Sequence, residues 1–298
     1  MLNRRTFLHA TAAATVLPHW SSHAQGTNAA PLQLTHFPTD DSGFSRAPVL
    51  LSGAKEAILI DGGFTLSDGR ALADAIAATG KTLTTIYLSQ SDPDYYFGLA
   101  PVRAAFPNAK VLAAPETVQA IAANVDKKLA VWGPQLKDNG PQRRDEVVFA
   151  QPWTGSSLVL EGQRIEVVPA QGMDNRRYLW VPALQAIVGG VLVFAGLHVW
   201  MADTPTAHIR QAWRENLQAM LARQPQLVVP GHMVAGSALD ASAIRFTLEY
   251  LDAFEQALDQ AKSSTALILA MQQRYPDLRG LSSLELGAKV VMGEMAWG

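Results

Sequence analysis

Short apolar runs alternate with longer stretches of helical spacing through most of this chain. Residues 31–38 and 46–52 read as two strands of a hairpin. Glu56-Ala57-Ile58-Leu59-Ile60 follows as an apolar strand, stopped by the acidic, glycine-rich turn Asp61-Gly62-Gly63. Within 67–79, Leu72, Ala75, Ile76 and Thr79 recur at helical spacing, and Gly80 stands where helices commonly end. Residues 82–88 give the next strand, followed by a helix over roughly 98–106, a strand over 110–114 and a longer helix opened by Pro115-Glu116. This alternation predicts an α/β architecture with parallel pairing at its centre.

Beyond it the pattern loosens. Residues 131–154 are polar, hold Pro134, Pro141 and Pro152, and read as a long surface connection that carries Trp132 and Trp153 over a site mouth. A hairpin turns at Glu161-Gly162 within 157–169, and strand and turn alternate over 178–195. Thr204-Pro205 is expected to cap a helix with an apolar face of Ile209, Trp213, Leu217, Met220 and Leu221. Leu227 to His232 reads as a buried strand ending on a histidine. The last sixty residues are helical, with Ile244, Leu248, Leu251 and Leu258 as one stripe and Ser282 with Glu285 as a capping box for the final helix.

Composition narrows the class. A chain of 298 residues, 48% hydrophobic and 17% charged, suits one large domain over 26–298, with 240–298 as a helical extension. The formal charge of −2 leaves no basic footprint for nucleic acid, and no apolar run is long enough to span a bilayer. Residues 1–25 read as an export signal. Asn3-Arg4-Arg5-Thr6-Phe7-Leu8 has the form of a twin-arginine motif, an apolar segment runs from Ala10 to Leu17, and Ser22-His23-Ala24 offers a cleavage site. The expected location is therefore periplasmic, reached through the twin-arginine machinery. Removing Arg4 and Arg5 leaves 22 basic against 26 acidic residues, about −4. The absence of cysteine fits an oxidising compartment without disulfides and removes thiolate from the possible metal ligands.

The chemistry is concentrated in Gln90-Ser91-Asp92-Pro93-Asp94-Tyr95, between the strand at 82–88 and the glycine Gly98. This loop resembles the metal-binding loop H-x-H-x-D-H of the metallo-β-lactamase superfamily. The order of further elements resembles it too: Asp61-Gly62, a Gly-x-Asp turn at 172–174, Gly189-Gly190, and Pro230-Gly231-His232. The resemblance implies an αββα four-layer sandwich, with metals held by loops at strand ends. Carried across position by position, the first metal would need Gln90, Asp92 and Met173. The second would need Asp94, Tyr95 and His232, with Val191 in place of the bridging carboxylate. Only Asp94 and His232 keep the family's residue types, while Asp174 returns one carboxylate if it takes the position of Met173.

Two functions follow from this remainder. One is a ligand-binding or pseudoenzyme member with a degenerate dinuclear site and no cofactor. The other is a metallo-hydrolase of esters, lactones or amides. It would use one divalent ion (zinc, manganese or iron) on Asp92, Asp94 and His232, with Tyr95 and His198 as proton-transfer or oxyanion groups. In either case Asp61 and Gln90 would support the loop from behind by hydrogen bonding. Against these stand plainer roles: Asp92 as a helix cap, His232 and His198 as packed histidines, and Asp203 as a helix-end charge.

Overall fold

A computed structural model describes residues 31–297 of the chain. The strands are β1 (Gln33–His36), β2 (Val49–Ser52), β3 (Glu56–Ile60), β4 (Thr82–Leu88), β5 (Lys110–Ala113), β6 (Gln151–Pro152), β7 (Ser157–Leu160), β8 (Gln163–Pro169), β9 (Arg177–Val181), β10 (Ala186–Val188), β11 (Phe194–Ala195), β12 (Leu227–Val228) and β13 (His232–Met233). The helices are α1 (Leu66–Ala78), α2 (Leu99–Ala105), α3 (Pro115–Leu136), α4 (Ala207–Ala222), α5 (Ser242–Gln260), α6 (Ser264–Arg274) and α7 (Leu281–Val291). The export segment at 1–25 lies outside the described residues.

Sheet one runs β1-β2-β3-β4-β5-β6, and its β3 to β6 pairings are parallel. Sheet two runs β12-β10-β9-β8-β7. The alternation of side chains decides which face each residue serves. From β2 and β3, Val49, Leu51, Ile58 and Ile60 join the core shared with sheet two, whereas Leu50, Ala57 and Leu59 face α1 and α3. In β4 the register slips by one residue between Ala57/Ile58, leaving Thr84 as the extra residue. Its hydroxyl donates to the Ala57 carbonyl at 3.2 Å. The slip lets Ile86 and Leu88 keep the helix-facing side while Tyr87 enters the core between the sheets. Helices therefore cover both outer faces, giving the expected four-layer sandwich with α5 to α7 added at its C-terminal end.

The expected elements hold in sheet one, and four details differ. Residues 131–136 are not connection but the last turns of α3, so Trp132 sits on a helix. Pro134 is tolerated there, near the helix end. The cap of α4 is Thr206, whose side chain accepts from the Ile209 amide, two residues beyond the expected position. The run 227–232 is two short strands in different sheets, broken at Pro230-Gly231. Gly280, with φ +76°, takes the N-cap of α7 in place of Ser282 and without a side-chain bond.

Candidate functional site

Three chain segments meet at the C-terminal ends of β3 and β4. The segment before β2 pairs with the turn into β13: the Ala47 amide donates to the Gly231 carbonyl at 3.1 Å, and Met233 to that of Ser45 at 2.8 Å. Gly231 is required there, since a Cβ would lie 2.0 Å from the Gly190 carbonyl oxygen. This pairing drives the side chain of Arg46, wholly excluded from solvent, into the centre of the site. Its Nη1 donates to the Gly231 carbonyl, and its Nη2 to Asp61 Oδ2 at 3.2 Å. Its Nε lies 3.5 Å from Asp94 Oδ2, and the guanidinium carbon sits over the Tyr95 ring, 3.5 Å from its centroid.

Asp61 holds this arrangement from below. It sits at φ +62°, an uncommon conformation for a non-glycine residue. Its carboxylate accepts from the Ser89 amide at 2.7 Å and from the Ser89 hydroxyl, and that hydroxyl accepts from the Gly190 amide at 2.8 Å. Burial raises its pKa, while Arg46 and the Ser89 hydrogen bonds pull the other way.

Asp94 and His232 stand side by side, with Nε2 of the imidazole 3.5 Å from Asp94 Oδ2. Nδ1 lies 2.8 Å from the Phe44 carbonyl, which can only accept, so Nδ1 carries the proton and Nε2 is left as an acceptor facing Asp94. The ring stacks on Phe194 at 5.1 Å. Burial, then Arg46, pushes His232 down to about 3. Burial pushes Asp94 up to about 7 against the pull of Arg46. Below about pH 7 the carboxyl thus carries the proton that the imidazole would otherwise take.

The remaining expected residues divide. Asp92 turns away from this pair: Gln90 donates to its Oδ2 at 3.0 Å, and Lys128 Nζ lies 3.6 Å from its Oδ1. It opens a short helical turn but makes no side-chain cap bond, so the capping role is not taken up either. The Gln90 side-chain carbonyl accepts from the Ser91 amide at 3.1 Å. Tyr95 donates its hydroxyl to the Gly190 carbonyl at 3.2 Å, and burial holds its pKa well above the usual range. His198 is packed, its Nδ1 3.0 Å from the Tyr250 hydroxyl and its own pKa lowered by burial. Met173 is absorbed into the core, and Asp174 is exposed.

Above the cluster opens a cavity of about 360 Å³, floored by Asp94, Tyr95 and His232 and walled by Trp132, Trp200 and Trp297. Arg46, Lys128, Trp200 and Trp297 were not singled out as site residues by sequence reasoning, whereas Trp132 was expected over the site mouth. A single arginine directly before an apolar strand was the only trace of the first.

The donor set does not fit a divalent ion. The position that Asp94 and Asp61 would have to share with a metal is taken by a guanidinium bonded to one and paired with the other. Two like charges at that separation repel strongly in a buried site. Val191 has no donor atom, and among the described residues no three His, Asp or Glu groups converge as ligands. The expected triad of Asp92, Asp94 and His232 is corrected to a pair plus a buried cation.

The family model described as metallo-beta-lactamase superfamily matches residues 43–232. Among solved structures, a metallo-beta-lactamase family protein from Thermus thermophilus superposes with a TM-score of 0.57 at 16% identity, over 89% of this chain and 93% of that one. A metallo-beta-lactamase from Pontibacter korlensis gives 0.54 at 19%, over 74% and 95%. Such identities carry the fold alone. None of the curated proteins matches the chain.

Proposed function

The chain belongs to the metallo-β-lactamase superfamily, and from that premise we propose that it is a ligand-binding member in which a buried guanidinium stands where relatives keep metal. The supporting observation is Arg46, fully buried, hydrogen-bonded to Asp61 and the Gly231 carbonyl and ion-paired with Asp94. A guanidinium supplies the positive charge the carboxylates need, and does so with fixed planar geometry. It has no Lewis-acid orbital and cannot lower the pKa of a water to the hydrolytic range as a bound metal does. What remains is an aromatic cavity over a neutralised floor, a shape suited to holding a small molecule. The metal-dependent hydrolase reading would require Arg46 to leave.

Elemental analysis of protein expressed with zinc, manganese and iron tests this directly. The expected result is metal well below one equivalent, with a Tm unmoved by chelator or added zinc. One equivalent, lost on Asp94→Ala or His232→Ala, would sink the proposal and restore the mononuclear hydrolase. Export belongs to the same proposal, supported by the Arg4-Arg5 segment and the cysteine-free composition. Arg4→Lys with Arg5→Lys is expected to keep the protein out of the periplasmic fraction; unchanged fractionation would refute that route.

A further inference from the structure

The surface of the cavity is acidic while the charges that answer it lie behind. Asp41, Asp92, Asp94 and Asp203 reach the cavity against the single ammonium of Lys128, whereas Arg46, Arg176 and Arg279, the partners of Asp94, Asp203 and Asp41, do not line it. Asp203 fixes two walls at once: its Oδ2 accepts from Trp200 Nε1 at 3.1 Å, and its Oδ1 from Trp297 Nε1 at 2.8 Å. The two indoles meet edge to face, 5.4 Å between centroids. Lys128 Nζ sits 5.6 Å from the Trp297 ring centroid and 3.6 Å from Asp92. An ammonium therefore already rests between an aromatic face and a carboxylate, on a side chain 28% exposed. Burial and then the charge of Asp203 raise the pKa of Asp92, against the pull of Arg176, which pairs with Asp203 at 3.1 Å, and of Lys128.

We propose that the cavity binds an organic cation, an ammonium or quaternary ammonium head on a compact apolar body, with the head displacing Lys128 from between Asp92 and Trp297. The assignment rests on the ligand-binding reading above and names its ligand class. Aromatic faces attract cations through the ring quadrupole, most strongly for tryptophan and in desolvated sites. A cleft of one sign also concentrates ligands of the other. An anionic ligand would meet the aspartates of the cavity wall, with only an ammonium already engaged to receive it. The volume of about 360 Å³ accepts a choline-sized head with room for a short apolar tail.

Three probes of matched shape separate charge from bulk: choline, uncharged 3,3-dimethylbutan-1-ol, and anionic 3,3-dimethylbutanoate, each titrated calorimetrically into the purified protein. Choline is expected to bind about tenfold more tightly than the alcohol, and the butanoate not at all. Lys128→Met is expected to tighten choline severalfold and leave the alcohol unchanged, a response that a purely structural lysine would not give. Trp297→Leu should weaken choline about tenfold, with Trp200→Leu as a second variant should the first fail to fold. Equal binding of the alcohol, tighter binding of the butanoate, or no binding by any probe overturns the cation assignment and leaves the ligand-binding reading standing. Stoichiometric metal in the same preparation would instead overturn the reading beneath it.

Discussion

Replacing Arg46 by methionine is expected to destabilise the protein by about 3–5 kcal/mol, the cost of removing one partner from a buried charged cluster. In a domain of this size that lowers Tm by roughly 10 °C. The reason is what stays behind. Asp61 and Asp94 lie 1% and 12% exposed at the side chain, and the guanidinium is the cation paired with both. Without it both carboxyls must take up protons or remain buried as unpaired charges. The Gly231 carbonyl also loses the donation from Nη1. Lysine is expected to rescue little, because a single ammonium cannot reproduce the fork that reaches Gly231, Asp61 and the Tyr95 face together. Adding Asp61→Asn and Asp94→Asn should recover much of the loss, since the uncompensated charges then disappear. A single-variant cost within about 1 kcal/mol, the range of an exposed pair, would show that Arg46 is not the charge on which the cluster depends.

The second large effect concerns pH. In the folded protein, Asp94 is raised to about 7 and His232 lowered to about 3. Unfolded, the same groups titrate near 3.9 and 6.5. The signs are opposite. A carboxyl whose pKa is raised by folding contributes stability below about pH 4 that is lost as pH rises through about 7. A histidine whose pKa is lowered costs stability in acid, and that cost disappears as pH climbs toward 6.5. Between roughly pH 4 and 6.5 the pair therefore holds one proton in both states, on Asp94 when folded and on His232 when unfolded, and its contribution is flat. Asp94→Asn removes one half of this exchange. Its stability, measured by urea unfolding at several pH values, is expected to rise with pH relative to the parent by up to ~1.4 kcal/mol per unit across pH 4.5–6. His232→Asn should show the mirror slope. Parallel curves for parent and Asp94→Asn would mean that the two groups do not share a proton.

The sequence made the scaffold legible where burial acts locally. Ile58 and Ile60 announce β3, Gly80 ends α1 with φ +65°, and β4 has the expected limits because alternation and turn residues are short-range signals. Trp132 was assigned to a connection because Pro134 reads as a breaker, although a proline near a helix end does little harm. The loop at 90–95 was legible as a site because its residue order survives a change of residue type. Arg46 was not. Its partners Asp61 and Gly231 lie 15 and 185 positions away, and no local pattern encodes a contact of that reach. Trp297 met the same obstacle, its bond to Asp203 joining residues 94 positions apart.

The hydrogen bond from Arg46 to Gly231 closes a loop of 185 residues. Closure on that scale is entropically unfavourable and follows the docking of nearer elements. The floor of the cavity is therefore assembled from both ends of the matched fold at once, and a chain with either sheet undocked has no floor. Recognition at this site is coupled to completion of the whole topology, so a molecule that binds here reads the finished protein and stabilises it against unfolding by an amount that grows with the logarithm of its concentration.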